Sequence, residues 1–224
     1  MESGKSQSGE DELMKAKIDY SIYLVTDEEC LQGRPLLECV EQALQGGVTV
    51  VQYRSKNAEG KKMYQEALAL KQLCDAYGVP LIINDRLDIA MAVKAAGVHV
   101  GQDDFPCAVA RKLLGEDYVI GVSSHNPEEA LQAVADSADY LGCGAVFGSA
   151  TKHNVGTLGL DNLKRIRAAV SVPMVGIGGV NAGNYAAVLE TGAEGAAVVS
   201  GILAAGDIAE EVRKFREIKS RYGR

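Results

Sequence analysis

The feature that most restricts how this chain can fold is a regular alternation. Eight short runs rich in β-branched and other apolar residues, at 21–26, 48–53, 80–83, 98–101, 118–122, 140–146, 174–177 and 195–199, are separated by longer stretches with helical spacing. Among the latter, 59–77 spaces Met63, Leu68, Leu70 and Leu73 along one pattern, and 127–137 does the same with Ala130, Leu131, Val134 and Ala135. Asn126-Pro127 can open a helix, while Gly46-Gly47, Gly78, Gly97 and Gly192 can close others. Strands that alternate with helices imply parallel pairing, and eight such units within 224 residues imply an α/β protein built as a single (β/α)8 TIM barrel. An open doubly wound sheet is the alternative. It loses ground because "YLVTDEECLQGRP", after the first run, lacks G-x-G-x-x-G, and the "GIGG" segment comes only near the seventh run. No Pro- or Ser-rich linker divides the chain. Residues 18–224 are therefore expected to form the barrel, and 1–17 a polar tail with some helical pattern near 10–17.

Composition and charge narrow the function. No apolar run reaches the roughly 18 residues a membrane helix needs, and "MESGKSQSGEDELMKAK" has no hydrophobic secretory region. Cys30, Cys39, Cys74, Cys107 and Cys143 include no C-x-x-C pair, and their odd number suits reduced, packing thiols, so a cytoplasmic location is expected. A net charge of −7 opposes binding to nucleic acid. It leaves room for a phosphorylated small molecule, because a few cations can make one pocket positive on an acidic protein.

In such barrels the active site lies at the C-terminal ends of the strands. Reading those ends in order gives Thr26-Asp27; Gln52, Arg54 and Lys56; Asn84-Asp85; Gln102, Asp103 and Asp104; Ser123 and His125; and a long segment, 148–159, followed by "GIGG" and "VVSG". If "VVQYRSK" stays extended, Gln52, Arg54 and Lys56 face one side, a row suited to phosphate; the competing reading is a solvated Arg and Lys at the start of a loop. Asp85 and Asp104 end neighbouring strands and can converge on one hard cation, against the alternative of helix capping or a surface ion pair. Gly178, Gly179, Val199 and Ser200 fall where this fold often cradles a phosphate on backbone N–H groups, although glycine-rich turns also serve as plain connections. The segment 148–159, carrying Ser149, Thr151 and Lys152, reads as an active-site lid or as a solvated loop. The three histidines show no metal-ligand spacing, and His99 is placed in or beside the core. With no G-x-S-x-G and no distinct Cys/His pair, nucleophilic catalysis is not indicated.

Taken in order, "YLVTD", "VQYRSK", "LIIND", "GVHVGQDD", "GVSSH", Thr151-Lys152, "VGIGG" and "VVSG" resemble the thiamine phosphate synthase family, from about Tyr23 to Ser200. The resemblance implies a transferase that joins a hydroxymethylpyrimidine diphosphate to a thiazole phosphate and releases pyrophosphate. It implies that Gln52, Arg54, Lys56 and Asn84 contact the pyrimidine diphosphate and that Asp85 and Asp104 hold Mg2+. Ser123 and Lys152 would contact the diphosphate region, while Ser149, Thr151, Gly179, Val199 and Ser200 would serve the thiazole phosphate. Arg54, Lys56, Ser123 and Lys152 would be the catalytic groups, acting on a carbocation-like reaction that needs no protein nucleophile. One departure stands out: where the family commonly has Pro-Thr, this chain has Gly148-Ser149, which keeps a hydroxyl but removes a fixed φ. A thiazole tautomerase of the same fold, and a noncatalytic sensor of the thiazole or thiamine phosphate, are the alternative readings. Partners are expected to be small phosphorylated molecules, with neither nucleic acid nor membrane; a homo-oligomer is compatible with the sequence but not derivable from it.

Overall fold

Each of the eight apolar runs forms a strand. The computed structural model describes residues 18–148 and 159–222, so the expected tail at 1–17 lies outside the described residues. The strands are β1 (Ile22–Val25), β2 (Val50–Tyr53), β3 (Leu81–Asn84), β4 (Gly97–Val100), β5 (Val119–Ser124), β6 (Tyr140–Gly144), β7 (Met174–Ile177) and β8 (Gly195–Val198). All neighbours pair in parallel, and β1 pairs with both β2 and β8, which closes the barrel. Between and after the strands lie α1 (Leu36–Gly46), α2 (Gly60–Ala76), α3 (Leu87–Val93), α4 (Cys107–Leu114), α5 (Pro127–Ala135), α6 (Gly159–Ala169), α7 (Tyr185–Leu189), α8 (Ser200–Leu203) and α9 (Ile208–Ser220).

Local chemistry explains the helices. α2 buries Met63, Ala67, Leu70 and Cys74, a stripe spaced by three and four residues that lies against the sheet. α5 starts as its sequence suggests: Pro127 occupies the first turn and the Asn126 side chain accepts from the Glu129 backbone N–H at 2.8 Å. Glu129 reaches back to accept from the His125 backbone N–H at 2.7 Å, satisfying a second donor at this helix entry. Gly47 at φ 103° ends α1.

Gly97 is a correction. It does not stop a helix; Lys94, at φ 53°, ends α3, and Gly97 opens β4. Its missing side chain is needed because a Cβ there would overlap the carbonyl of Val119 on the neighbouring strand. Gly97→Ala should therefore force the β4–β5 pair apart and lower stability by about 3 kcal/mol. A urea unfolding midpoint unchanged from wild type would show that the barrel absorbs the methyl group.

Two apolar layers result. The larger lies between sheet and helices and takes in all five cysteines, each free and buried. The smaller fills the barrel interior and includes Tyr20, Tyr23, Val50, Ile82, Val119 and Tyr140. Among the described residues no helix is long and apolar enough to cross a membrane.

Candidate active site

A cavity opens at the C-terminal ends of the strands, directly above the tyrosines of the barrel interior. β2 supplies its basic wall. Tyr53 points outward, where its hydroxyl donates to Glu66 at 2.5 Å, so alternation sends Gln52 and Arg54 the other way, and both line the cavity together with Lys56. Asp27, buried at the end of β1, holds the two cations: its Oδ2 lies 3.2 Å from Arg54 Nη1 and 3.7 Å from Lys56 Nζ. The Glu29 backbone N–H donates to the same carboxylate at 3.1 Å. The sequence places Asp27 on the rim but gives no hint that it anchors this pair.

β3 and β4 bring Asp85 and Asp104 together beside the cavity rather than on its wall. Burial, and next the hydrogen bonding and repulsion of the Asp104 carboxylate, push the Asp85 carboxyl up to about 6; Arg54 and the Asn84 amide pull the other way. Asn84 Nδ2 donates to Asp85 Oδ2 at 2.6 Å, and Asn84 itself lines the cavity. Asp85 adopts a left-handed backbone, φ 62°, stabilised by its N–H donating to the His99 carbonyl at 2.8 Å. Asp104 also performs the local task weighed against metal binding, since its Oδ2 accepts from the Gly101 N–H at 2.8 Å.

Opposite lie the glycine turns. Gly178 and Gly179 have φ 98° and 67°, and both line the cavity with Val199 and Ser200. Val199 precedes the short helix α8, which has no side-chain cap. Ser149, Thr151 and Lys152 lie outside the described residues.

On the floor, Gln52 and Ser123 are joined by three residues that sequence reasoning assigned no role in the site: Tyr23, Tyr140 and His99. Gln52 Nε2 donates to the Tyr23 hydroxyl at 2.8 Å; Tyr23 and Tyr140 share a hydrogen bond of 2.7 Å; Tyr140 meets His99 Nδ1 at 3.0 Å; and His99 Nε2 meets Ser123 Oγ at 3.0 Å. His99 is buried, as expected, but it also lines the cavity. The signal available in the sequence was parity: Tyr23, Gln52, His99, Ser123 and Tyr140 all face inward on their strands, two of them pairing across neighbours as Asn84↔His99 and Ser123↔Gly142 in the register.

The sequence model described as thiamine monophosphate synthase matches residues 22–202, from the first strand to the helix after the last. The chain belongs to the thiamine monophosphate synthase family. A thiamine-phosphate synthase of Ruminiclostridium cellulolyticum is 49% identical over 205 residues, covering 92% of this chain and 98% of the relative. A second, from Chloroflexus aurantiacus, is 50% identical over 204 residues, covering 91% and 94%. The solved structure of a thiamine phosphate pyrophosphorylase from Pyrococcus furiosus superposes with a TM-score of 0.86 at 36% identity, covering 94% of this chain and all (100%) of that one. For this member of the synthase family, then, the barrel and the rim form one continuous match.

Proposed function

We propose that this chain condenses 4-amino-2-methyl-5-hydroxymethylpyrimidine diphosphate with 4-methyl-5-(2-phosphoethyl)thiazole, giving thiamine phosphate and pyrophosphate. The observation that carries the reading is the pairing of Arg54 and Lys56, lined up on one cavity wall, with the carboxylates of Asp85 and Asp104 beside them. The cations suit a diphosphate. Two carboxylates pressed together, one of them driven up to about 6, form a site short of positive charge and rich in hard oxygen donors, which fits Mg2+. When bound there, Mg2+ supplies positive charge to the leaving diphosphate oxygens.

The chain's own residues do the rest. Arg54 and Lys56, held in place by Asp27, bind the diphosphate and stabilise the negative charge that grows as its bond to the pyrimidine's exocyclic carbon breaks. Lys152 is assigned the same task on the strength of the family resemblance. Gln52 and Asn84 face the pyrimidine, Ser123 the diphosphate. Ser149, Thr151, Gly179, Val199 and Ser200 take the thiazole phosphate, whose ring nitrogen captures the carbocation-like carbon. Holding both substrates in one cavity makes that capture effectively unimolecular, and no nucleophilic side chain is called for. A tautomerase would need neither the cation row nor the carboxylate pair.

Incubating the purified protein with both substrates and Mg2+ should yield thiamine phosphate and pyrophosphate in equal amounts. Binding of thiazole phosphate with no product would support the sensor reading instead. Gly179 tests the division of the cavity. At φ 67°, with a Cβ position 2.8 Å from the Gly148 carbonyl oxygen and 2.9 Å from Phe147 Cβ, it has room for backbone only. Gly179→Val should raise the thiazole phosphate requirement roughly tenfold or more, as a side chain takes the place of backbone next to phosphate, and leave pyrimidine diphosphate binding unchanged. Equal weakening in separate titrations would refute the assignment.

A further inference from the structure

Five polar side chains, Gln52, Tyr23, Tyr140, His99 and Ser123, form an unbroken line of hydrogen bonds across the inside of the barrel, each link between 2.7 and 3.0 Å. A phenol has one proton to give, and a buried one needs an acceptor, so with Gln52 donating to Tyr23 the arrangement that leaves neither phenol proton unpaired runs one way. Gln52 spends an amide N–H on the Tyr23 oxygen. Tyr23 then gives its proton to Tyr140, and Tyr140 gives its own to His99 Nδ1. His99 must carry its ring proton on Nε2, where it donates to Ser123 Oγ. With that oxygen accepting, the Ser123 hydroxyl hydrogen is left to point elsewhere, and Ser123 lines the cavity.

We propose that this one-way chain is a positioning device: it fixes His99 as the neutral Nε2–H tautomer and presents Ser123 to the cavity as a hydrogen-bond donor, ready for an anionic oxygen. Tyr23, Tyr140 and His99 are positioning residues in this scheme, acting through Ser123. The surroundings are built to hold the line. Tyr140 packs on Tyr20 with ring centroids 4.8 Å apart and on His99 at 5.5 Å. Gly121 makes room for the Tyr140 ring, which a Cβ at that position would overlap. Burial holds the Tyr23 and Tyr140 phenols far above their ordinary range, so both keep the single proton that the scheme requires. The effect on rate rests on the proposed function, in which Ser123 faces the diphosphate; the tautomer does not.

The test therefore starts without substrate. In protein labelled with 15N-histidine, with His125→Asn and His153→Asn used to assign the remaining signal, His99 should show a pyridine-like Nδ1 and a pyrrole-like Nε2 at neutral pH. A pyrrole-like Nδ1 would mean that the chain runs the other way, from Ser123 to Gln52, and would overturn the proposal. Tyr23→Phe should keep the Nε2–H tautomer, because Tyr140 still has a proton to give. Tyr140→Phe keeps the ring but removes two links, so the tautomer preference should be lost. In the same variant kcat should fall about three- to tenfold, the scale of one hydrogen bond, with KM for the thiazole phosphate unchanged. An unaltered tautomer and kcat in Tyr140→Phe would likewise overturn it. If the wild-type protein forms no thiamine phosphate yet His99 holds the Nε2–H form, the reading of the reaction has failed and the relay stands.

Discussion

Asp85→Asn is expected to lower Mg2+-dependent formation of thiamine phosphate by on the order of 10²-fold or more while making the metal-free protein harder to unfold. The two effects share a cause. Asp85 and Asp104 repel each other in a half-buried position, a cost that a bound cation would relieve and that asparagine removes outright. Asparagine also tolerates the left-handed backbone at this position, φ 62°, better than most residues, so the turn should survive. The sign follows from linkage. With the folded carboxyl at about 6 and an unfolded value near ~3.9, the native state holds a proton between those values that the unfolded chain has released. On this group's account stability falls as pH rises through that window and is lowest above it. At neutral pH the variant should gain on the order of 1 kcal/mol, after allowing for the water that reaches a half-buried carboxylate. Urea unfolding of wild type and variant, without metal, should show the gap opening between roughly pH 4 and pH 7. A wild-type protein more stable than the variant at pH 8 would rule out the repulsion; equal turnover across a Mg2+ titration would rule out the metal role.

Arg54→Met should be the most damaging single change to the rate. The guanidinium lies on the cavity wall, a quarter exposed, and is the nearer of the two cations on Asp27. Its loss should lower kcat/KM for the pyrimidine diphosphate by on the order of 10³, the upper end of what one preorganised electrostatic group contributes. A second penalty comes from below. Asp27 would be left buried without its nearer cation, keeping Lys56 at 3.7 Å, one backbone N–H and the Cys30 thiol, at a cost of about 2 kcal/mol in stability. Adding Asp27→Asn should restore the unfolding midpoint and leave the rate low. Recovery of both together would mean that Arg54 serves only to neutralise Asp27.

The contrast between Arg54 and Asp27 shows what the sequence could and could not disclose. Arg54 was legible because strand alternation from Gln52 turns it to the same side and the barrel sends strand ends to one rim. Its partner was not, since nothing in "YLVTD" says which cation of another strand the aspartate will meet 27 residues away. The tyrosines were hidden differently. Tyr23 and Tyr140 sit within apolar runs and read as core, which they are; their hydroxyls meet only because the barrel brings strands one and six face to face across its interior. Gly97 misled because a glycine after a helical stretch looks like a stop, whereas here the constraint comes from a neighbouring strand's carbonyl. Asp85 and Asp104 were placed together correctly, but their position beside the wall, with Asp104 also closing its own turn, depends on loop geometry that no spacing encodes.

The pairing of β1 with β8 bears on how the molecule comes to exist. Ile22 finds its neighbour at Ala196, so the opening strand leaves the ribosome with one edge unsatisfied until nearly the whole chain has followed. At ordinary rates of synthesis that wait is on the order of 10–30 s. Throughout it the nascent chain carries an apolar strand with an edge open to pairing with another copy. Changes that hinder this final seam should therefore be felt first as lost yield during expression, in molecules that never close, while those that do close work normally.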